Sequence, residues 1–284
     1  MISVKHLTKC YGEFTAVDDL SFEIDEGHVY GFLGPNGAGK STTMNIITGC
    51  LSATSGQVTI DGHDIFDEPK EAKSAIGYLP EIPPLYTNET PEEYLKFVAE
   101  AKGLKGKEMD RQIEGVISQT KIQNVRKRLI SKLSKGYRQR VGIAQALLGN
   151  PKVIILDEPT VGLDPIQIIE IRDLIKQLGK NHTVILSSHI LSEVQAICEK
   201  VLIISGGKLI AFDEPEHLEK SLAGSNEILF TTEATREEVE EVKSLLGEIT
   251  EVSYRETQDG LLSVTMKTDS DDIRGISRKL SMEF

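Results

Sequence analysis

The sequence predicts an α/β fold built on a buried parallel sheet, with a smaller α/β unit at the C-terminal end, and three observations carry that prediction. An apolar run, Val29–Leu33, leads directly into Gly34-Pro35-Asn36-Gly37-Ala38-Gly39-Lys40-Ser41-Thr42, and a helix-prone stretch begins at Ser41. Two more short apolar runs, Val153–Leu156 and residues 183–187, flank a helix-like segment over 165–178, as expected of strands covered on both faces. After Asp213-Glu214-Pro215 the chain becomes rich in Glu, Ser and Thr, which marks a change of unit.

In chain order, residues 2–7 and 20–24 alternate apolar and polar as half-buried strands do, and 57–60 read as a strand entering the turn Asp61-Gly62. Together they suit a small antiparallel sheet beside the parallel one. From Pro91 to Leu148 the pattern is helical, with Pro91 as a first-turn proline and an amphipathic segment behind it. Residues 201–204, Gly206-Gly207 and 208–212 read as a hairpin. A linker is expected over 213–225. Beyond it, strands over 227–232, 251–255 and 261–267 alternate with helices over Arg236–Leu246 and 271–280, the first helix carrying Val239, Val242 and Leu246 in an apolar row.

Composition narrows the function. The 284 residues are 39% hydrophobic and 27% charged, enough for a substantial core. A net charge of −12 leaves no global basic surface to neutralise nucleic-acid phosphates, so no nucleic-acid partner is expected. No run approaches the roughly 20 apolar residues needed to span a bilayer, and the N-terminus lacks a signal-peptide pattern. Any membrane role is therefore expected to come through a partner. Cys10, Cys50 and Cys198 are isolated, with no C-x-x-C spacing, and read as reduced thiols in a cytosolic protein.

The spacing Gly34-x4-Gly39-Lys40-Ser41 lets the backbone wrap an anion with no Cβ in the way, so that successive N–H groups point inward. Residues 34–42 are thus the candidate phosphate-binding set for ATP or GTP. Lys40 brings a mobile positive charge to the β- and γ-phosphates, Ser41 a hydroxyl for Mg²⁺, and the helix N-terminus its partial positive charge. Asp157 and Glu158, adjacent at the end of a buried strand, are expected to point into opposite environments. Asp157 suits Mg²⁺, and Glu158 suits the attacking water.

Leu133-Ser134-Lys135-Gly136-Tyr137-Arg138-Gln139-Arg140 opens an apolar helix shortly before that strand, with Ser134 as a good N-cap. Here the chain resembles the ATP-binding subunits of ABC transporters. The resemblance covers residues 1–212 and implies a P-loop NTPase of the ABC ATPase type: RecA-like core, antiparallel β subdomain and helical subdomain. A linker (213–225) and a small α/β C-terminal domain (226–284) follow, and related exporter subunits often continue beyond a comparable point.

The resemblance also implies roles. Ser134, Lys135, Gly136 and Tyr137 correspond to the LSGGQ-type signature, which completes the site of a second subunit; Lys135 stands where a second Gly is usual and Tyr137 where Gln is usual. Gly162-Leu163-Asp164 corresponds to the D-loop, with Asp164 its acidic residue, and His189 to the switch histidine on the γ-phosphate. Tyr11 corresponds to the ring that stacks on adenine. Glu81 stands at the Q-loop position, usually glutamine, and is a further candidate oxygen ligand for Mg²⁺.

Glu158, His189 and Lys40 are accordingly the expected catalytic residues of an ATPase with ATP and Mg²⁺. It would act as a homodimer or heterodimer with an integral membrane permease, on the cytoplasmic face of the cell membrane. LSKGY, Glu81 and the appended unit resemble bacterial export-type subunits and favour export. A non-transporting regulator acting through a membrane partner is equally compatible with these residues. A DNA-repair-type relative fits less well, because the 94 positions between Lys40 and Ser134 hold no sustained heptad.

Overall fold

The computed structural model describes residues 1–222, 226–246, 249–257, 261–268, 270 and 273–283. The chain divides into two units, Met1–Pro215 and Glu216–Phe284. The first runs β1 (Ile2–Tyr11), β2 (Phe14–Ile24), β3 (Val29–Leu33), α1 (Lys40–Ile47), β4 (Ser55–Ile60), β5 (His63–Asp64), α2 (Pro69–Ser74) and β6 (Ile76–Leu79). It continues with α3 (Pro91–Ala101), α4 (Gly106–Gln119), α5 (Lys135–Leu147), β7 (Val153–Leu156), α6 (Pro165–Gly179), β8 (Thr183–Ser188), α7 (Leu191–Ile197), β9 (Lys200–Ser205) and β10 (Lys208–Asp213).

Six strands form one sheet in the order β10-β9-β3-β8-β7-β6. Strands β9, β3, β8, β7 and β6 are parallel, and β10 closes the edge beside β9 antiparallel through the expected hairpin. Val153–Leu156 and Thr183–Ser188 are buried at every position, which is why they read as uninterrupted runs. The antiparallel sheet, β2-β1-β4-β5, places Ile2, Val4, Leu20, Phe22 and Ile24 against Tyr30 and Phe32 of β3. Phe22 and Phe32 meet edge to face with ring centres 5.6 Å apart.

Helix starts follow local chemistry. Thr90 and Glu93 form a reciprocal capping box around Pro91 at the head of α3, Ser134 caps α5, and Asp164 caps α6 ahead of Pro165. Helices α3, α4 and α5 pack on one another over the stretch read as helical.

Three differences from the sequence reading have physical causes. The first two strands are longer than expected, β1 reaching Tyr11 and β2 starting at Phe14, because register shifts let polar stretches pair across a tight turn. Ile76–Leu79, assigned to no element in the sequence reading, is an edge strand of the main sheet. Part of the expected linker is helical: α8 (Pro215–Leu222) opens on a proline, which suits a first turn. Residues 223–225 lie outside the described residues.

The second unit has its own core. It contains β11 (Asn226–Thr232), α9 (Arg236–Leu246), β12 (Ile249–Glu256), β13 (Leu262–Thr268) and α10 (Ile273–Glu283), with an antiparallel sheet in the order β11-β13-β12. Val239 and Val242 of α9 and Ile276 and Leu280 of α10 bury against Ile228, Leu262, Val264 and Met266. Asp271, expected to start the last helix, lies outside the described residues.

Candidate active site

The site grows from the junction of β3 and α1. Gly39 has φ +101° at the head of α1, and a Cβ there would stand 2.5 Å from the Ala16 carbonyl oxygen, so both conformation and space call for glycine. Gly34 lies as tightly against the Ile204 backbone, where a Cβ would stand 2.3 Å from its oxygen. No side chain caps α1 and no acidic residue sits in its first turn, so the first-turn N–H groups face the groove unpaired by a cap.

Lys40 is buried rather than mobile. Its ammonium donates to the carbonyl oxygens of Gly34 at 2.7 Å and Pro35 at 3.2 Å, and lies 3.7 Å from Glu158 Oε1. The loop thus holds its own cation at the anion-binding face.

The Asp157 and Glu158 carboxylates take different partners beside the phosphate loop, Asp157 meeting Ser41 below the groove and Glu158 lining it near Lys40. Strand β7 stops at Leu156, and Glu158 takes a left-handed conformation with φ +47°, so strand alternation no longer sets the directions of the two side chains. A left-handed glutamate is strained and persists only where neighbours hold it. Ser187 does so: its Oγ accepts from the Glu158 N–H at 2.7 Å and donates to Asp157 Oδ1 at 2.6 Å. Ser41 Oγ donates to the same Asp157 oxygen at 3.3 Å. His189 Nδ1 donates to Glu158 Oε2 at 3.1 Å, with Oε1 at 3.3 Å. The histidine is 41% exposed and the glutamate buried, so the ring stands at the mouth of the site.

A groove of about 430 Å³ is lined by residues 36–42 with Tyr11, Phe14, Ala16, Glu81, Glu158, Val161 and His189. Tyr11 and Phe14 face each other across the β1–β2 turn, 50% and 63% exposed, and Lys9 Nζ lies 5.2 Å from the Tyr11 ring centre. They form an aromatic shelf at one end. Phe14, Ser187 and Val161 were missed in the sequence; only the alternation preceding Val17 could have flagged Phe14. Below the groove, burial and the Asp157 charge hold the Tyr78 phenol well above its usual range, and its hydroxyl donates to Asn45 Oδ1.

Several expected residues lie elsewhere. Gly34, Pro35 and Asp157 support the groove without lining it. Ser134, Lys135, Gly136 and Tyr137 are not brought to it: Ser134 Oγ accepts from the Tyr137 N–H at 3.4 Å, Asn124 donates to the Tyr137 hydroxyl, and Gly136 abuts Gln167 of α6. Asp164 Oδ1 accepts from the Gln167 N–H at 2.9 Å. A larger groove of about 1080 Å³ in the second unit is lined by Ile228–Thr232 and by α9 and α10 residues including Glu238 and Glu241, with no basic side chain among the described residues that line it.

Comparison with known proteins agrees with this chemistry. The ABC transporter family matches residues 17–161. The bacitracin transport ATP-binding protein BcrA of Bacillus licheniformis is 44% identical over 222 residues, 78% of this chain and 72% of that protein. The linearmycin resistance ATP-binding protein LnrL of Bacillus subtilis (strain 168) is 34% identical over 259 residues, 91% of this chain and 83% of that one. Among solved structures, the dimeric post-hydrolysis state of the ATP-binding cassette MJ0796, bound to ADP and Pi, has a TM-score of 0.69 at 27% identity, covering 76% of this chain and 99% of its own. No described helix is long and apolar enough to cross a membrane. The family match and the phosphate-loop groove lead to one conclusion: the chain belongs to the ABC transporter ATP-binding family and is a nucleotide-binding subunit that hydrolyses ATP to serve transport.

Proposed function

We propose that two copies of this subunit, or one copy and a homologous partner, sandwich ATP and hydrolyse it to drive export through an integral membrane permease. One observation carries the reading: Ser134–Tyr137 point to a nucleotide by motif yet lie outside this chain's own groove, so the groove is incomplete without a second signature segment. The dimeric form of the MJ0796 cassette supports it.

The first turn of α1 and Lys40 bind the β- and γ-phosphates, and Tyr11, with Phe14 beside it, stacks on the base. Ser41 and Asp157 fit a magnesium ion, since a hydroxyl and a carboxylate already converge within 3.3 Å and Mg²⁺ takes one or two such protein oxygens beside substrate phosphates. When bound, the ion neutralises charge on the phosphates. Glu81 faces the same groove and is positioned to sense it. Glu158 orients the attacking water and takes its proton, while His189 holds the γ-phosphate end of the groove. Ser134 and the N-terminus of α5 act on the nucleotide of the opposite subunit, and Asp164 joins the two sites.

For the permease, exposed Ile82, Tyr86 and Phe97 offer an aromatic and aliphatic patch near Glu81, with the Tyr86 and Phe97 rings 5.2 Å apart. Export is supported by similarity to a linearmycin resistance protein and by the signature variant. Such a subunit works at the cytoplasmic face of the membrane. The test is light scattering of Glu158→Gln with ATP and Mg²⁺: a nucleotide-dependent dimer is expected, and a monomer that turns over at the normal rate would overturn the sandwich.

A further inference from the structure

Glu193 belongs to none of the motifs above, yet it is only 5% exposed and occupies the first turn of α7. A carboxylate this deep requires partners, and it finds them on the turn after β7, on β8 and on α6. Its Oε2 accepts from Thr160 Oγ1 at 2.7 Å and from Ser188 Oγ at 3.1 Å, while Oε1 lies 3.4 Å from Arg172 Nη2 of α6. Thr160 is two residues past Glu158, and Ser188 immediately precedes His189. Ser188 Oγ also accepts from the Ile190 N–H at 3.1 Å, so the backbone on both sides of His189 is pinned.

We infer that Glu193 is a positioning residue: it ties the segment after Glu158 to the segment carrying His189 and thereby keeps the histidine on the glutamate. The two kinds of partner separate its duties. Arg172 balances the buried charge, which serves the fold. The two hydroxyls set direction, because each is fixed to a segment whose neighbour reaches the groove. Ser187 fixes the Glu158 N–H from the strand side, Glu193 adds the hydrogen-bonded link from Thr160 to Ser188, and the Glu158–His189 contact depends on the relative placement of those two segments. The inference rests on the reading of Glu158 as the water-orienting residue and His189 as the residue at the γ-phosphate.

The test uses the whole chain and three variants. Thr160→Val removes one hydroxyl and keeps the shape, Glu193→Gln removes the charge, and Glu158→Gln marks the state in which the histidine has lost its carboxylate partner. Turnover, affinity for a fluorescent ATP analogue, melting temperature and the ¹⁵N shift of the His189 imidazole are measured for each. Thr160→Val is expected to lower kcat by about 10- to 100-fold, as small misplacements of reacting groups do, with analogue affinity nearly unchanged. In Thr160→Val and Glu193→Gln the His189 signal should move toward its position in Glu158→Gln. Combining Thr160→Val with Glu193→Gln should add little to Glu193→Gln alone.

An unmoved His189 signal, with any kcat loss matched by losses of affinity and melting temperature, would overturn the inference and leave Glu193 a fold-stabilising residue. Full hydrolysis by Glu158→Gln would instead overturn the role of that glutamate; the His189 signal still decides whether Glu193 positions the ring.

Discussion

His189 Nδ1 reaches Glu158 Oε2 at 3.1 Å across the ends of β8 and β7, which are adjacent parallel strands of the main sheet. The contact joins a ring at the groove mouth to a carboxylate that also lies 3.7 Å from the Lys40 ammonium. Replacing Glu158 by Gln keeps the shape and most hydrogen bonds but removes the proton acceptor. Steady-state hydrolysis is expected to fall by about 10² or more, with binding of a fluorescent ATP analogue retained. Turnover within a few-fold of the parent would remove Glu158 from the water-activating role.

Lys40 predicts the opposite partition. Its ammonium holds Gly34 O and Pro35 O and supplies the positive charge of the anion-binding face. Lys40→Ala should therefore weaken nucleotide engagement itself, by about 10-fold or more, because the lost contact acts on ground-state phosphates. Titration with the same analogue checks it: unchanged affinity with lost turnover would mean that the lysine acts only in the transition state.

Gly31 is the stability counterpart. It lies in β3 under α7, where a Cβ would stand 2.2 Å from Val194 Cγ1 and 3.1 Å from Cys198 Sγ. Its backbone is ordinary for a strand, so the penalty in Gly31→Ala is overpacking, about 1–3 kcal/mol. A urea melt should show a lower midpoint with an unchanged slope. An unaltered midpoint would show that α7 moves aside at no cost.

How much of this was legible in the sequence depended on how local the cause is. The phosphate loop is written in adjacent residues, because its work is done by backbone N–H groups and the spacing that exposes them. Ser134 was legible as a cap for the same reason, whereas the capping of α6 by Asp164 came only with the structure. Strand β6 was not legible: Gly77 interrupts it, and that glycine exists because a Cβ there would meet the Ala146 carbonyl oxygen of α5 at 2.1 Å. Ser187 bridges Asp157 and Glu158 from 30 and 29 residues away, and Glu193 reaches Thr160 across 33, so no short window of sequence contains either relationship. The left-handed turn at Glu158 follows from what holds it and has no mark in the residue itself.

Glu81 stands on the groove where a glutamine is usual, and it is exposed there. A carboxylate adds negative charge beside the phosphates and cannot donate as an amide does. Glu81→Ala is expected to reduce partner-stimulated hydrolysis and transport more than ATP binding by the isolated subunit. Equal loss at every level would indicate folding damage, and no loss at any level would mean that the carboxylate faces away from both nucleotide and partner.

The second unit is expected to act on assembly and not on chemistry. Every residue gathered at the groove lies before position 190, whereas residues 228–280 bury a core of their own around Val239, Val242, Val264 and Met266. The first unit closes its sheets without them, since β10 ends at Asp213 and its edge pairs within the unit. A chain truncated after Pro215 should therefore fold and bind the ATP analogue with affinity within about twofold of the whole chain. What should change is the concentration or ATP dependence of dimer formation, measured by sedimentation of both forms in the Glu158→Gln background, where hydrolysis does not dissipate the complex. Lost nucleotide affinity with unchanged self-association would reverse the assignment and give the second unit a direct part in the nucleotide site.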